Sequence, residues 1–179
     1  MKTIKHFSFA IALALTTILS SCSSSDSGSG GFSGPATGSF VKANVAGSNF
    51  LAEGSLAVGT YNSGNFVVMG TTMAGKSINI QLYAVDGTLE TGTYNVNTTN
   101  TNDDHEGSLS YIEINTSTFT SMTYNSQICD NSNGTIVITY VGTDKIEGTF
   151  SFAGKELRED EDCSGGTKSV TNGSFRLEL

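Results

Sequence analysis

From about residue 39 onward the apolar residues come in short runs, most of them alternating with polar ones and separated by clusters of Gly, Asn, Asp and Ser. A period of two puts alternate side chains on opposite faces, the signature of a strand with one buried face. The clearest case is 77–85, where Ile78, Ile80 and Leu82 point one way and Asn79, Gln81 and Tyr83 the other. Ile146, Gly148, Phe150 and Phe152 repeat the pattern, as do Phe175, Leu177 and Leu179. The segment 136–141 differs, with Ile136, Ile138 and Tyr140 on one side and Val137 and Val141 on the other, and so predicts a strand that lies centrally or is covered on both faces. Further strands are predicted over 40–46, 50–53, 56–61, 66–71, 92–97, 109–115 and 118–124. Turns are expected at Gly47-Ser48, Asn62-Ser63-Gly64 and Gly142-Thr143-Asp144. About ten short strands with turn signals every 8 to 12 residues predict an all-β domain, either an antiparallel β-sandwich or a flattened barrel.

The pattern before residue 39 is of another kind. Lys2, Lys5 and His6 precede an apolar run from Phe7 to Leu19, too short to span a bilayer and laid out as a secretory signal. The run ends in Leu19-Ser20-Ser21-Cys22, which resembles the lipobox of bacterial lipoproteins, implying cleavage after residue 21 and acylation of Cys22. Acyl chains contribute roughly 0.8 kcal/mol per buried CH₂, so two or more would hold the chain stably on a membrane. Residues 22–38 are rich in Ser and Gly with one Asp, Phe32 and Pro35 being the notable exceptions, and are expected to form a flexible tether reaching roughly 20 to 25 Å. The β domain is then assigned to 39–179.

Loss of Lys2 and Lys5 with the signal leaves seven Lys/Arg against seventeen Asp/Glu, a net charge of −10. Nucleic acid is a poor partner for such a surface, because binding it requires neutralising phosphates with basic groups. Cys129 and Cys163 remain after lipidation, with neither a Cys-x-x-Cys spacing nor a neighbouring His. If 136–141 and 146–152 form a hairpin, the two cysteines lie beyond its free ends at one end of the sheet. A structural disulfide is therefore expected, closing about 35 residues for roughly 4 kcal/mol.

Chemistry is sparse. Asp103, Asp104, His105 and Glu106 form the densest set of metal-ligand types, and His105 is the one histidine after the signal. They sit in a polar stretch read as a loop. Neither this stretch nor Asp130-Asn131-Ser132-Asn133-Gly134 has the Gly and Glu spacing of an EF-hand. The reading adopted is a solvated acidic loop, with Ca²⁺ the only cofactor entertained. Glu159-Asp160-Glu161-Asp162 is read as an exposed like-charge run. No Gly-x-Ser-x-Gly elbow or nucleotide fingerprint is present. Paired carboxylates such as Glu113 and Glu147 leave a glycan hydrolase open as an alternative. For binding, the polar face Asn79, Gln81 and Tyr83 offers amides and a ring suited to a sugar; its bland reading is cross-strand packing on a solvated face.

The segments Gly134-Thr-Ile-Val-Ile-Thr-Tyr, Asp144-Lys-Ile-Glu-Gly-Thr-Phe-Ser-Phe and Val170-Thr-Asn-Gly-Ser-Phe-Arg together resemble uncharacterised Bacteroidota cell-envelope lipoproteins that end in an Ile-x-Gly-x-Phe-x-Phe hairpin and a Gly-x-Phe strand. In such lipoproteins a Ser/Asp-rich stretch after the acylated Cys resembles an export signal for the cell surface, and here Ser23 and Asp26 follow Cys22. The resemblance implies an outer-membrane address and no activity. The function expected is therefore a non-catalytic, lipid-anchored envelope protein that binds a glycan or another envelope protein, with a purely structural envelope component as the further alternative.

Overall fold

A computed structural model describes residues 31–97, 105–130, 132–158 and 163–179. The segment expected to be a signal, Cys22, Asp103, Asp104 and the run Glu159–Asp162 lie outside the described residues. Eleven strands occur in the order β1 Phe40–Val45, β2 Ser48–Glu53, β3 Ala57–Asn62, β4 Asn65–Thr71, β5 Lys76–Ala84, β6 Gly92–Val96, β7 His105–Asn115, β8 Thr120–Asn125, β9 Asn133–Val141, β10 Lys145–Glu156 and β11 Thr167–Glu178. All pairings are antiparallel, and the sheet is nearly closed into a barrel. Of the two architectures expected, the barrel is the one formed.

The main path runs β2-β1-β11-β10-β8-β7-β5-β4-β3. It forks at β10, whose one edge pairs with β9 from Ile146 to Ala153 and with β8 only at Lys155 and Glu156. β6 pairs with β9 and fills the fork, bringing Tyr94 edge-on to His105 at 4.8 Å. The inward faces are those the alternation marks: Ile78, Ile80 and Leu82 of β5, Phe66 and Val68 of β4, Ile136 and Ile138 of β9, and Phe175 and Leu177 of β11 are all buried. Phe66 and Phe175, from opposite walls, meet with ring centroids 5.4 Å apart, so one apolar core holds the barrel together.

Two hairpins turn on residue pairs with positive φ, Ala46-Gly47 and Ser63-Gly64, the geometry whose twist suits two-residue loops. The first lies one residue earlier than the expected Gly47-Ser48. The expected covering of β9 on both faces is corrected in part. A register shift opposite Glu147/Gly148 reverses the alternation after Ile138, so Tyr140 faces solvent at 42% exposure while Val141 packs on the core.

Glycines in β10 and β11 make room for the phenylalanines opposite them. Gly148 pairs with Phe175 and Phe150 with Gly173, and a Cβ on either glycine would overlap the facing ring. Gly148→Ala is therefore expected to overpack the core and to cost about 1 to 3 kcal/mol, read as a lower melting temperature with the fold retained.

Of the expected tether, residues 31–38 are described and are docked on the barrel. Residues 31–39 lie along the outer face of β11: Ser33 N–H donates to Ser174 Oγ (3.3 Å), Arg176 Nη1 donates to Pro35 O (3.0 Å), and Gly38 N–H donates to Glu178 Oε1 (2.8 Å). Phe32 and Pro35, the notable exceptions in the Ser/Gly composition, are among the residues that dock. Phe32 packs against Phe40 with centroids 5.9 Å apart, and the Arg176 guanidinium lies over both rings. The segment is a strap on the barrel.

Candidate functional site

The polar face of β5 is continuous with its neighbours because register places outward residues in rows. Asn65, Tyr83 and Glu106 form one row across β4, β5 and β7; Val67, Gln81 and Ser108 form the next. Where β7 parts from the β6 branch, these rows border an open cavity of about 490 Å³, completed by Asn97 after β6 and Gln127 after β8. That volume lies in the range of small-ligand sites, which are commonly apolar. This one is walled mainly by amides, hydroxyls and a carboxylate, with the Tyr83 ring 44% exposed. Asn125 Nδ2 donates to Ser108 Oγ (3.3 Å), and Asn125 Oδ1 accepts the Gln127 backbone N–H (2.7 Å), fixing the β8 side of the rim.

Two sets of residues that are separate along the chain thus meet. Gln81 and Tyr83 of the expected binding face share the cavity with His105 and Glu106 of the expected metal cluster. Asn79 does not; it is half-buried one row away, between Met69 and Ser110. The loop reading of His105 and Glu106 is corrected as well. They open β7, where adjacent residues face opposite sides, so His105 turns towards Tyr94 and Glu106 outward. Among the described residues no group of three His, Cys, Asp or Glu side chains is placed to hold a metal.

Asn65, Ser108 and Gln127 are not marked by the sequence because only strand register brings them beside Tyr83; Asn65 falls between the expected turn at Asn62-Ser63-Gly64 and the expected strand 66–71. Other tyrosines are committed elsewhere. Tyr61 Oη accepts Leu89 N–H (3.2 Å) and Tyr94 Oη donates to Glu90 O (2.6 Å). Tyr111 is buried against Tyr124, and its hydroxyl donates to Glu113 Oε1 (2.7 Å). Desolvation, then that bond to a carboxylate, pushes the Tyr111 phenol well above its ordinary value.

The carboxylates considered for hydrolysis are held apart in separate ion pairs. Glu113 binds Lys168 Nζ at 3.1 Å, and Glu147 binds Arg176 Nε at 2.6 Å and Lys145 Nζ at 3.1 Å. For both, burial pushes the pKa up, but the bonds from Tyr111 and Lys168 to Glu113, and from Arg176 and Lys145 to Glu147, outweigh it and hold the carboxyl below the usual range. A glycosidase acid needs the opposite shift.

Cys129 and Cys163 are joined in the expected disulfide, with Cα atoms 6.0 Å apart. Residues 37–176 match a family described as a domain of unknown function, DUF6252. The chain belongs to the DUF6252 family. Neither the curated proteins nor the solved structures contain a match to it. The DUF6252 region takes in β1 to β10, β11 as far as Arg176, and the cavity.

Proposed function

We propose that this protein is a non-catalytic binding component of the cell envelope, anchored in the outer membrane through an acylated Cys22, and that its cavity takes a hydroxyl-rich ligand, a glycan foremost. The observation that carries this reading is the meeting of Gln81, Tyr83, Asn65 and Glu106 around one open, polar cavity on a rigid sheet. Side-chain amides donate and accept at once, which matches the paired hydroxyls of a sugar, and an exposed tyrosine ring offers an apolar face to its C–H groups. The engagement of Glu113 and Glu147 in ion pairs supports binding over hydrolysis. The acidic balance of the chain argues against nucleic acid as the ligand.

A glycan array followed by titration calorimetry tests the reading. The mature chain is expected to bind a defined glycan class, and Tyr83→Ala and Gln81→Ala each to weaken it at least tenfold, about 1.4 kcal/mol, without changing the melting temperature. A wild-type chain that binds no glycan, or binds one equally well with both substitutions, would remove the proposal. The anchor is tested in cells by palmitate labelling that disappears in Cys22→Ser.

A further inference from the structure

Two hairpin tips at one end of the barrel carry large apolar side chains in open solvent. Met73, in the turn from β4 to β5, is 89% exposed, and Phe119, in the turn from β7 to β8, is 90% exposed. The tips are linked side by side, Ile114 N–H donating to Gly75 O at 2.8 Å. Phe119 also has a φ of 54°, in the left-handed region where a bulky side chain is an outlier. Holding an aromatic residue there costs stability, and its exposure returns no burial to the fold.

The strap gives the direction of the chain over residues 31–39. Its bonds from Gly38 to Glu178, Pro35 to Arg176 and Ser33 to Ser174 run parallel to β11, so followed back from residue 39 to 31 it heads towards the start of that strand. That is the end of the barrel where Lys168 meets Glu113 and beyond which the two tips project. Eight residues separate Cys22 from Gly31, a span of at most about 32 Å even when fully extended. Gly31 lies beside Asn172 and Gly173, about half-way along β11, so this end of the barrel is within reach of a bilayer that holds Cys22. The tip segments 71–75 and 115–120 carry no charged residue, and the acidic balance of the chain as a whole would oppose an anionic surface.

From these observations we infer that Met73 and Phe119 enter the headgroup region of an electrically neutral bilayer, the one that holds Cys22, and so stand the barrel on end. The cavity then faces away from the membrane, because Asn65 and Tyr83 lie at the ends of β4 and β5 remote from Met73. The inference rests on the lipid-anchor reading for its native setting, but the insertion itself is measurable without native acylation.

The chain contains no tryptophan, so Phe119→Trp and Met73→Trp each create a single reporter, with Tyr140→Trp at the far end as the reference. The chain from Cys22 onward, its disulfide intact, is coupled through the Cys22 thiol to maleimide lipid in phosphatidylcholine vesicles. Brominated phosphatidylcholine is expected to quench both tip reporters severalfold more than Tyr140→Trp, with a blue-shifted emission. Quenching no greater at either tip than at position 140 overturns the inference. Palmitate labelling in cells decides the anchor separately: its absence removes the native setting, while quenching reports on the tips alone.

Discussion

Arg176→Ala is expected to lower stability by about 3 kcal/mol and to release the strap over residues 31–39. Arg176 is 7% exposed, and its guanidinium carries four jobs at once: it bonds Glu147 at 2.6 Å, donates to Pro35 O at 3.0 Å, and lies over the rings of Phe32 and Phe40. Removing one partner of a buried ion pair typically costs 3 to 5 kcal/mol, because the other charge is left without compensation. Here the lower end applies, since Lys145 stays within 3.1 Å of Glu147. For a chain of this size the loss corresponds to about 6 to 12 °C in melting temperature. Limited chymotrypsin digestion should then cut at Phe32, a site half-buried in the wild type. Arg176→Lys keeps a charge but not the planar fork, and should fall between the two. A melting temperature within 2 °C of wild type in Arg176→Ala, with Phe32 still protected, would show that the strap is held without this residue.

The same pair sets a pH dependence. The Glu147 carboxyl is held below its ordinary value in the folded chain, so its contribution is fully present above the unfolded pKa, about 4.3, and is lost as pH falls through the folded value. Strap release should therefore appear in acid below about pH 4, and Glu147→Gln should flatten that part of the profile. Glu113, lowered by Tyr111 and Lys168, titrates in the same direction at the other end of the barrel, so digestion at Phe32 separates the strap from global unfolding.

The strands were legible because burial on one face forces a period of two, and the barrel's inner positions, such as Ile78, Ile80 and Leu82, repeat it without interruption. Where a bulge intervenes the period misleads: Tyr140 continues the phase of Ile136 and Ile138 on paper, yet turns outward after the register shift. The strap was hidden by its composition, for a Ser/Gly segment has no face of its own to bury, and only the position of Phe32 and Pro35 opposite Arg176 gives it one. The cavity was half visible. Gln81 and Tyr83 announce a polar face, but Asn65, Ser108 and Gln127 join it through pairing across three strands and a loop, and register between distant segments is not written in local pattern. The Gly148 and Gly173 positions of the hairpin motif, by contrast, gain a physical reason from the structure, each leaving room for the phenylalanine opposite.

Loss of the disulfide, in a Cys129→Ala, Cys163→Ala double variant, is expected to cost about 4 kcal/mol by the chain-entropy argument, the largest single effect predicted for this chain. The bond joins positions 34 apart and ties the β8–β9 connection to the β10–β11 connection. Its place in the sheet matters as much as the loop it closes. β8 holds β10 through only two residue pairs, Asn125 with Lys155 and Tyr124 with Glu156, extended by the bond from Leu157 N–H to Thr123 O at 2.7 Å. This is the shortest seam on the main path of the sheet, and the disulfide spans the two connections that lead away from it. Ser132 keeps the Cys129 turn closed from the other side, its hydroxyl donating to Cys129 O at 2.6 Å and its N–H to the same oxygen at 2.8 Å. Without the covalent tie, opening should begin there, and amide exchange should accelerate at Tyr124, Asn125, Glu156 and Leu157 well before it does in β5 or β11. Equal acceleration in all strands would mean that the disulfide acts only through the unfolded chain, and a loss below 1 kcal/mol would mean that the β8–β10 seam holds by itself.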